Sequence, residues 1–250
     1  MNPGSIDSKA VRAHFEDRSA RYDASSQWCT DEALGEILVR LTAPGSDEIV
    51  LDLACGTGLV SEVFRRHARA VFGVDPTPGM YALAENRIDQ LVGGEGENLP
   101  FQDESFDLAV CRQGIQFMHD LAAVKEMHRV LRPGGRICLV HLCAYGEEDR
   151  DEYFEILRLR NPVRRNFYLR EDLRRLMKDA GFRNLAVHDY ITEEDVGRWS
   201  DHGAIPDERQ ESIREAYGRT SDAFRALHAL RMDDGRIVDR MLFGIAIGVR

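Results

Sequence analysis

The chain has 250 residues, of which 43% are hydrophobic and 30% charged, a composition typical of one globular α/β domain with room for a helical insertion. Its 33 Lys and Arg residues against 43 Asp and Glu give a net charge of −10, which argues against a general nucleic-acid or anionic-membrane surface. Met1 to Ala10 has no apolar core and no 18-residue apolar run occurs, so we expect neither a signal peptide nor a transmembrane helix.

The first predicted elements are two polar helices, at 6–24 and 29–42, which make residues 1–44 an N-terminal helical cover. Strands and helices then alternate, which predicts right-handed crossovers and a parallel sheet. The predicted strands are 48–53, 70–74, a weak one near Val92, 106–111 and 136–142, and the predicted helices are 59–67, 78–91 and 121–131.

The C-terminal part departs from this alternation. Two segments, 145–170 and 192–235, are interpreted as helical covers that could hold substrate, and the second could also be a dimer surface. A stripe of apolar residues at helical spacing in the second segment favours ordinary core packing over an aromatic pocket. The predicted elements are a helix at 171–180, a strand at 184–190, mostly helix over 192–232 and a last strand at 241–249. An aromatic pocket would use Trp199, His202, Tyr217 and Phe224.

The cysteines have no spacing typical of metal ligands, and none forms a Cys-x-x-Cys pair. Their odd number predicts reduced thiols in a cytoplasmic protein, with no bound metal. They are Cys29, Cys55, Cys111, Cys138 and Cys143.

The most informative segment runs from Val50 to Gly58, an apolar run that ends in a Gly-x-Gly turn. A strand, such a turn and a helix bring backbone N–H groups close to a ligand in α/β sheets. Asp52 lies where that strand should end. A purely structural turn would have nearly the same pattern, so the turn alone does not identify a ligand.

A second acid, Asp75, ends the next predicted strand. A carboxylate there can accept hydrogen bonds from both hydroxyls of a ribose. Asp75 could also cap the helix predicted to begin near Pro78. The two roles are compatible.

Further segments complete a pattern that resembles the class I S-adenosylmethionine-dependent methyltransferases, and more closely their ubiquinone/menaquinone-type small-molecule branch. The segments occur in family order over roughly residues 48–142. They are LDLACGTG at 51–58, GVD at 73–75, ENLPF at 97–101, SFD at 105–107 and EMHRVLRPGG at 126–135.

The resemblance implies an α/β fold, a Rossmann-like three-layer sandwich with a mostly parallel seven-stranded sheet and an antiparallel last strand. It implies one methyltransferase domain over 1–250, with S-adenosylmethionine as cofactor and S-adenosylhomocysteine as product. Gly56 and Gly58 would pass under the methionine part, Asp52 would act near its amino group, and Asp75 would bind the ribose. Glu95 would receive the adenine amino group, although many relatives have Asp there. The other implied cofactor residues are Tyr22, Ala54, Pro76, Met80, Gly96, Glu97, Arg112 and Gln113.

A nicotinamide dinucleotide is the competing cofactor. Its Gly-x-Gly-x-x-Gly fingerprint would place Ser61 at the third small position. That cofactor gives no role to the ENLPF and RPGG segments, so it is disfavoured.

The acceptor site is less defined by sequence. A base is needed only if the acceptor keeps a proton, and His141 and His14 are the best candidates because their segments should face the cleft. For a lone histidine, a structural role is the commoner one. The candidate substrate residues are Gln116, Phe117, Tyr145, Arg164 and Arg165.

The last two belong to an arginine-rich segment, 158–175, that stands out in an acidic chain. We expect either that one or two of its arginines hold a carboxylate or phosphate of the acceptor, or that they form a solvated helix face. In the second case their partners would be Glu147, Glu148, Asp149 and Asp151.

The predicted function is methyl transfer from S-adenosylmethionine to a small molecule, with carbon or oxygen of an aromatic or quinone-like acceptor first and nitrogen second. The alternative is a protein that binds S-adenosylmethionine or S-adenosylhomocysteine without methyltransferase activity. Beyond a small-molecule substrate we expect no nucleic acid, no membrane insertion and a possible homodimer. The residues after the fourth strand, CRQG at 111–114, do not fit the Asn/Asp-Pro-Pro-Tyr type of motif that a nucleic-acid substrate would favour.

Overall fold

The computed structural model describes residues 8–250, so the part of the predicted first helix before Ser8 lies outside the described residues. The α-helices are α1 Ser8–Arg18, α2 Glu32–Thr42, α3 Leu59–Arg65, α4 Tyr81–Ala84, α5 Asp120–Val130, α6 Arg150–Arg160, α7 Arg170–Asp179, α8 Val196–Ser200, α9 Asp207–Gly218 and α10 Asp222–Leu227. The strands are β1 Ile49–Leu53, β2 Ala70–Asp75, β3 Gln90–Gly93, β4 Phe106–Arg112, β5 Leu131–Cys143, β6 Arg183–Asp195, β7 Arg231–Asp233 and β8 Arg236–Val249. Short 3-10 helices are Ser19–Ala24, Gln27–Thr30, Pro78–Met80 and Ile115–Phe117.

The strands form one sheet in the order β3-β2-β1-β4-β5-β8-β6. The first five in this order pair in parallel, and β8 is antiparallel to both neighbours. The expected mostly parallel sheet with an antiparallel last strand is therefore confirmed. The described sheet has eight strands rather than seven, because a turn through Asp234 and Gly235, both with positive φ, folds β7 back onto β8.

Two predicted helical regions are shorter than the sequence indicates. The helix expected at 78–91 is a 3-10 turn followed by the four residues of α4, and beyond its end Arg87 and Ile88 pack over Gly58. The region 192–232 begins as strand, since β6 continues to Asp195 in register with β8. Asp195 then accepts hydrogen bonds from the N–H groups of Gly197 and Arg198 and so caps α8.

Alternate residues of the strands pack on the two faces of the sheet, as expected for buried strands between helical layers. Val50 contributes to the core on one face and Leu51 to the core on the other. The predicted stripe is part of the first core, where Tyr217 and Phe224 are fully buried. No helix within residues 8–250 is long and apolar enough to span a membrane.

Candidate functional site

A cleft of about 300 Å³ lies where β1, β2 and β4 end, at the carboxyl edge of the sheet. This is the edge at which α/β sheets bind ligands. Ten of the thirteen residues predicted to contact a cofactor line it, namely Tyr22, Ala54, Gly56, Asp75, Pro76, Met80, Glu95, Gly96, Glu97 and Gln113. Residues far apart in the chain therefore meet in one cavity.

The turn after β1 is built from left-handed residues. Ala54, Gly56 and Gly58 have φ values of +56°, +54° and +82°. A Cβ on Gly58 would lie 2.9 Å from the Cβ of Arg87, so glycine is required there by close packing as well as by φ. Ala54 adopts this conformation without that freedom, at a cost of about 1–2 kcal/mol, and Gln113 across the cleft does the same with φ +54°. Such strain concentrates at functional sites.

Asp75 is held by two backbone groups at the base of the cleft. Its Oδ2 accepts a hydrogen bond from the N–H of Gly56 at 3.0 Å, and its Oδ1 accepts one from Thr77 at 2.9 Å. Burial raises the pKa of this carboxyl. Because a carboxylate has about four lone-pair sites, two N–H donors leave capacity on both oxygens for a ligand diol.

Three predicted cofactor residues do not line the cleft. Asp52 is 1% exposed and accepts a hydrogen bond from the Ser61 hydroxyl at 2.6 Å, and burial raises its pKa to about 7. Arg112 donates to the carbonyl oxygens of Trp28 and Cys29, both at 3.3 Å. Gly58 has the packing role described above. These contacts hold the surrounding elements together, and the cofactor roles of the three residues stay predictions.

Of the predicted substrate residues, Phe117 lines the cleft. Gln116 does not line the cleft and is 1% exposed. Its Nε2 donates a hydrogen bond at 2.9 Å to Oε1 of Gln113, which does line the cleft. Tyr145 does not line the cleft and donates its hydroxyl proton to the carbonyl of Arg240 at 2.8 Å. Arg165 lines a separate surface pocket beside α5.

The two candidate bases are buried beside arginines rather than in the cleft wall. Nε2 of His14 lies 3.1 Å from Oδ1 of Asn161, and burial together with the charge of Arg18 lowers its pKa to about 4. His141 is unexposed, and burial together with Arg164 lowers its pKa well below the usual value. Both imidazoles are therefore neutral at pH 7.

The arginine-rich segment separates into two groups. The arginines of α7 form exposed pairs, but with Glu171, Asp172 and Asp189 rather than with the predicted acids. Asp149 instead contacts His228. Arg160 and Arg164 are 3% and 6% exposed and form no ion pair with a carboxylate among residues 8–250. The exposed pairs are Arg170–Asp189, Arg174–Glu171 and Arg175–Asp172.

Sequence reasoning missed several residues of the cleft wall. Val11 and Phe15 lie four positions apart on α1, and the Phe15 ring contacts the Phe117 ring edge-on with a centroid distance of 4.9 Å. The helical spacing of these residues within a predicted cover could have identified them. Gly114 was missed because its role is close approach: a Cβ there would lie 2.5 Å from that of Ala54. The other missed residues are Ser8, Thr77, Met118 and His119.

A parallel sheet, a glycine turn and an acid at the end of the second strand define a nucleotide-binding domain of the Rossmann-like class. Residues 51–139, which carry these features, match the methyltransferase domain family. Together with the topology of the sheet, this match over residues 51–139 supports a class I S-adenosylmethionine-dependent methyltransferase domain, and it favours that cofactor over a nicotinamide dinucleotide.

The relatives agree with this identification. The chain is 33% identical over 152 residues to malonyl-[acyl-carrier protein] O-methyltransferase of Yersinia pestis, covering 60% of this chain and 56% of that one. It is 34% identical over 148 residues to demethylmenaquinone methyltransferase of Chlorobaculum parvum, covering 57% and 56%. It thus spans just over half the length of these relatives. The crystal structure of YcgJ from Bacillus subtilis has the same fold, with a TM-score of 0.80 at 21% identity over 88% of this chain and 98% of that one.

Proposed function

We propose that this protein transfers a methyl group from S-adenosylmethionine to a small-molecule acceptor. The observation that carries the proposal is Asp75. It lies at the base of a cleft, is oriented by two backbone N–H groups, and keeps acceptor capacity on both oxygens for the ribose hydroxyls.

The other cleft residues fit the remaining parts of the same cofactor. The left-handed turn at Ala54 and Gly56 leaves room for backbone to approach the methionine portion, since a Cβ on Gly56 would have no neighbour closer than 3.9 Å. Glu95 and Gly96 line the same cavity and would face the adenine edge. When bound, S-adenosylmethionine supplies a methyl group on a positively charged sulfur.

In the proposed reaction a lone pair or carbanion of the acceptor forms a bond to the methyl carbon, and the carbon–sulfur electron pair goes to sulfur. The chain contributes alignment and exclusion of water rather than covalent chemistry. Phe15 and Phe117 form an aromatic corner of the cleft, which suits a flat acceptor. We therefore favour carbon or oxygen of an aromatic or quinone-like compound, with nitrogen second.

The histidines bear on which acceptors are suitable. Burial lowers the pKa of His14 to about 4 and holds the pKa of His141 well below its usual value, so both are weak bases at pH 7. The reaction is therefore best served by an acceptor that reaches the site already ionised, or that loses its proton readily. One relative is named for O-methylation of malonyl-[acyl-carrier protein], and a free malonyl carboxyl is already ionised at pH 7.

A second candidate is a protein that binds S-adenosylmethionine or S-adenosylhomocysteine without transferring a methyl group. The absence of a strong base among the candidate residues keeps this alternative in view. A single domain over 1–250, a homodimer, a cytoplasmic location and the lack of a nucleic-acid partner remain predictions.

Calorimetry with S-adenosylmethionine and S-adenosylhomocysteine tests cofactor binding directly. Turnover of S-adenosylmethionine to S-adenosylhomocysteine across a library of small phenols, enols and amines then separates an enzyme from a binding protein. Binding of both compounds with acceptor-dependent turnover supports the proposal. Binding without turnover by any acceptor favours the second candidate, and no binding of either compound would contradict both.

A further inference from the structure

A group of buried polar atoms without partners adjoins the cleft. Six buried side-chain atoms of five residues have no hydrogen-bond partner in the described part of the chain. They are Nε2 of Gln113, Oε1 of Gln116, Nδ1 and Nε2 of His141, Nη2 of Arg164 and the hydroxyl oxygen of Tyr153. A buried polar atom that stays unsatisfied destabilises the fold. Several together in one region are the feature expected of a ligand site rather than of a finished core.

These side chains are connected to the cleft through the backbone. Arg165 and Asn166 both donate their N–H groups to the carbonyl of Gln116 at 3.0 Å. The side chain of Asn166 donates to the carbonyls of Ile115 and Met118, at 3.2 and 2.9 Å. The loop that carries Arg164 is therefore fixed against the 115–118 turn of the cleft wall.

His141 reaches the same region from the sheet. It follows Val140, whose carbonyl accepts a hydrogen bond from the N–H of Gln113 at 2.9 Å. Its ring centroid lies 5.6 Å from that of Tyr168, and the charge of Arg164 acts on its imidazole. His141 and Arg164 thus lie together behind the Gln113–Gln116 side of the cleft.

The charge balance of this region is unusual. Arg164 is 94% buried, yet its guanidinium donates only to the carbonyl of Asn166, at 3.0 Å, and lies 5.2 Å from the Phe167 ring centroid. A buried cation normally has an anionic partner, and none of the carboxylates in residues 8–250 is hydrogen-bonded to this one. Arg170, in the same segment, is paired with Asp189 at 2.6 Å.

We infer that Arg164 and His141 form a subsite for a carboxylate of the methyl acceptor, reached from the cleft when the Gln113–Gln116 side-chain pair turns aside. The inference rests on the proposed function, because it concerns the acceptor of that reaction. One planar guanidinium supplies two parallel N–H donors, which match a carboxylate, and a neutral imidazole adds one more donor. A phosphate would need more donors and more charge than this enclosed region provides.

The test uses matched pairs of phenolic probes that differ only in the charged group: 4-hydroxybenzoate with 4-hydroxybenzamide, and 3,4-dihydroxybenzoate with its amide. Binding is measured by calorimetry on protein saturated with S-adenosylhomocysteine, so the readout does not depend on turnover. The wild type should bind at least one acid roughly 30-fold more tightly than its amide, which is about 2 kcal/mol for a buried charge pair.

Arg164→Gln should remove this preference for the acid while S-adenosylhomocysteine still binds, and Arg164→Lys should restore part of it. Arg174→Gln is the matched control, because Arg174 lies in the same arginine-rich segment but is exposed and paired with Glu171. His141→Phe, which keeps a ring of similar size but removes the N–H donor, is the second variant in case Arg164→Gln fails to fold, and it should weaken acid binding by about tenfold.

Equal binding of acid and amide by the wild type, or no binding of any acid, would overturn the inference. So would an acid preference that survives in a folded Arg164→Gln variant. Inorganic phosphate is a further probe, and phosphate that competes with 3,4-dihydroxybenzoate as strongly as 4-hydroxybenzoate does would contradict the assignment to a carboxylate. Failure of the wild type to bind S-adenosylhomocysteine would instead count against the proposed function.

Discussion

The two sides of the cleft are built in different ways. The nucleotide side uses turns that follow neighbouring parallel strands, and its central acid, Asp75, has both oxygens fixed by backbone N–H groups. The acceptor side is assembled from α1, the 115–118 turn and the loop after α6, and it retains polar atoms without partners. The cofactor side is therefore preorganised in this structure, whereas the acceptor side has free hydrogen-bonding capacity that a ligand could use.

The largest effect is expected at the nucleotide side. Asp75→Ala should weaken S-adenosylmethionine binding by roughly 100-fold, about 3 kcal/mol, because two charge-assisted hydrogen bonds to the ribose would be lost. Calorimetry measures this, and Asp75→Asn shows how much depends on charge alone. The control is Asp103→Ala, whose side chain is 72% exposed and pairs with Arg129 at the surface. Unchanged affinity in a folded Asp75→Ala variant would refute the ribose assignment.

The next effect concerns how the covers are held. The His228 side chain is unexposed. Its Nε2 lies 3.0 Å from Oδ2 of Asp149, in the 145–170 cover, and its Nδ1 lies 2.7 Å from Oδ1 of Asp239 on β8. Burial disfavours the imidazolium, but the hydrogen bonds to both carboxylates outweigh it and raise the pKa of His228 to about 9. Because the folded pKa exceeds the unfolded value, the stabilisation is complete below about pH 6.5 and is lost as pH rises through about 9.

Raising the pH from 6.5 to 10 should therefore destabilise the protein by about 3 kcal/mol in urea unfolding. Hydrogen exchange should rise first in 145–170 and 222–232, with little change in β1 and β2. In His228→Gln the pH-dependent part of the loss should be absent. An unchanged pH profile in that variant would show that other groups are responsible.

A smaller effect is expected where the two sides meet. In Gly114→Ala the new Cβ would lie 2.5 Å from the Cβ of Ala54 and 2.6 Å from Sγ of Cys111. This overpacking should cost about 1–3 kcal/mol in stability, and cofactor affinity should fall because Ala54 is displaced. Thermal melting and calorimetry measure the two effects. Gly218→Ala is the control, since no atom lies within 4 Å of its added Cβ, and normal melting of Gly114→Ala would contradict the packing argument.

The smallest effect concerns the cover helix. Phe15→Ala should weaken calorimetric binding of the neutral probe 4-hydroxybenzamide by roughly fivefold, about 1 kcal/mol, because it removes the edge-to-face contact with Phe117 at 4.9 Å. Phe154→Ala removes a ring contact with Phe167 outside the cleft lining and should leave binding of this probe unchanged. Equal affinities of the two variants for the probe would show that α1 does not contribute to acceptor binding.

That most of the predicted cofactor residues line one cleft could be foreseen from sequence because each feature there is local. The turn before Gly58 and the acid at Asp75 follow directly from apolar strands, and parallel strands bring their carboxyl ends to one edge. Arg112 shows the limit of this logic. Its position beside the cleft was expected, but its guanidinium turns to the carbonyls of Trp28 and Cys29, which no local pattern reveals.

The covers could be predicted only coarsely. β6 lies at the edge of the sheet and is partly exposed along its length, so it lacks the alternation that marks a half-buried strand. Its charged C-terminal end therefore had the appearance of helix. The contact of His228 with Asp149 joins residues 79 positions apart, and sequence does not indicate which of many acids a histidine will meet.

All five cysteines are free and at most 7% exposed, and burial raises the pKa of each thiol. Because thiolate is the reactive form, a thiol reagent should modify them only when the protein opens. Cys55 lies in the ligand turn, whereas Cys138 lies in the middle of β5. The ratio of their labelling rates therefore distinguishes local opening of the turn from unfolding of the sheet. Both rates can be measured on the natural thiols, without an introduced probe.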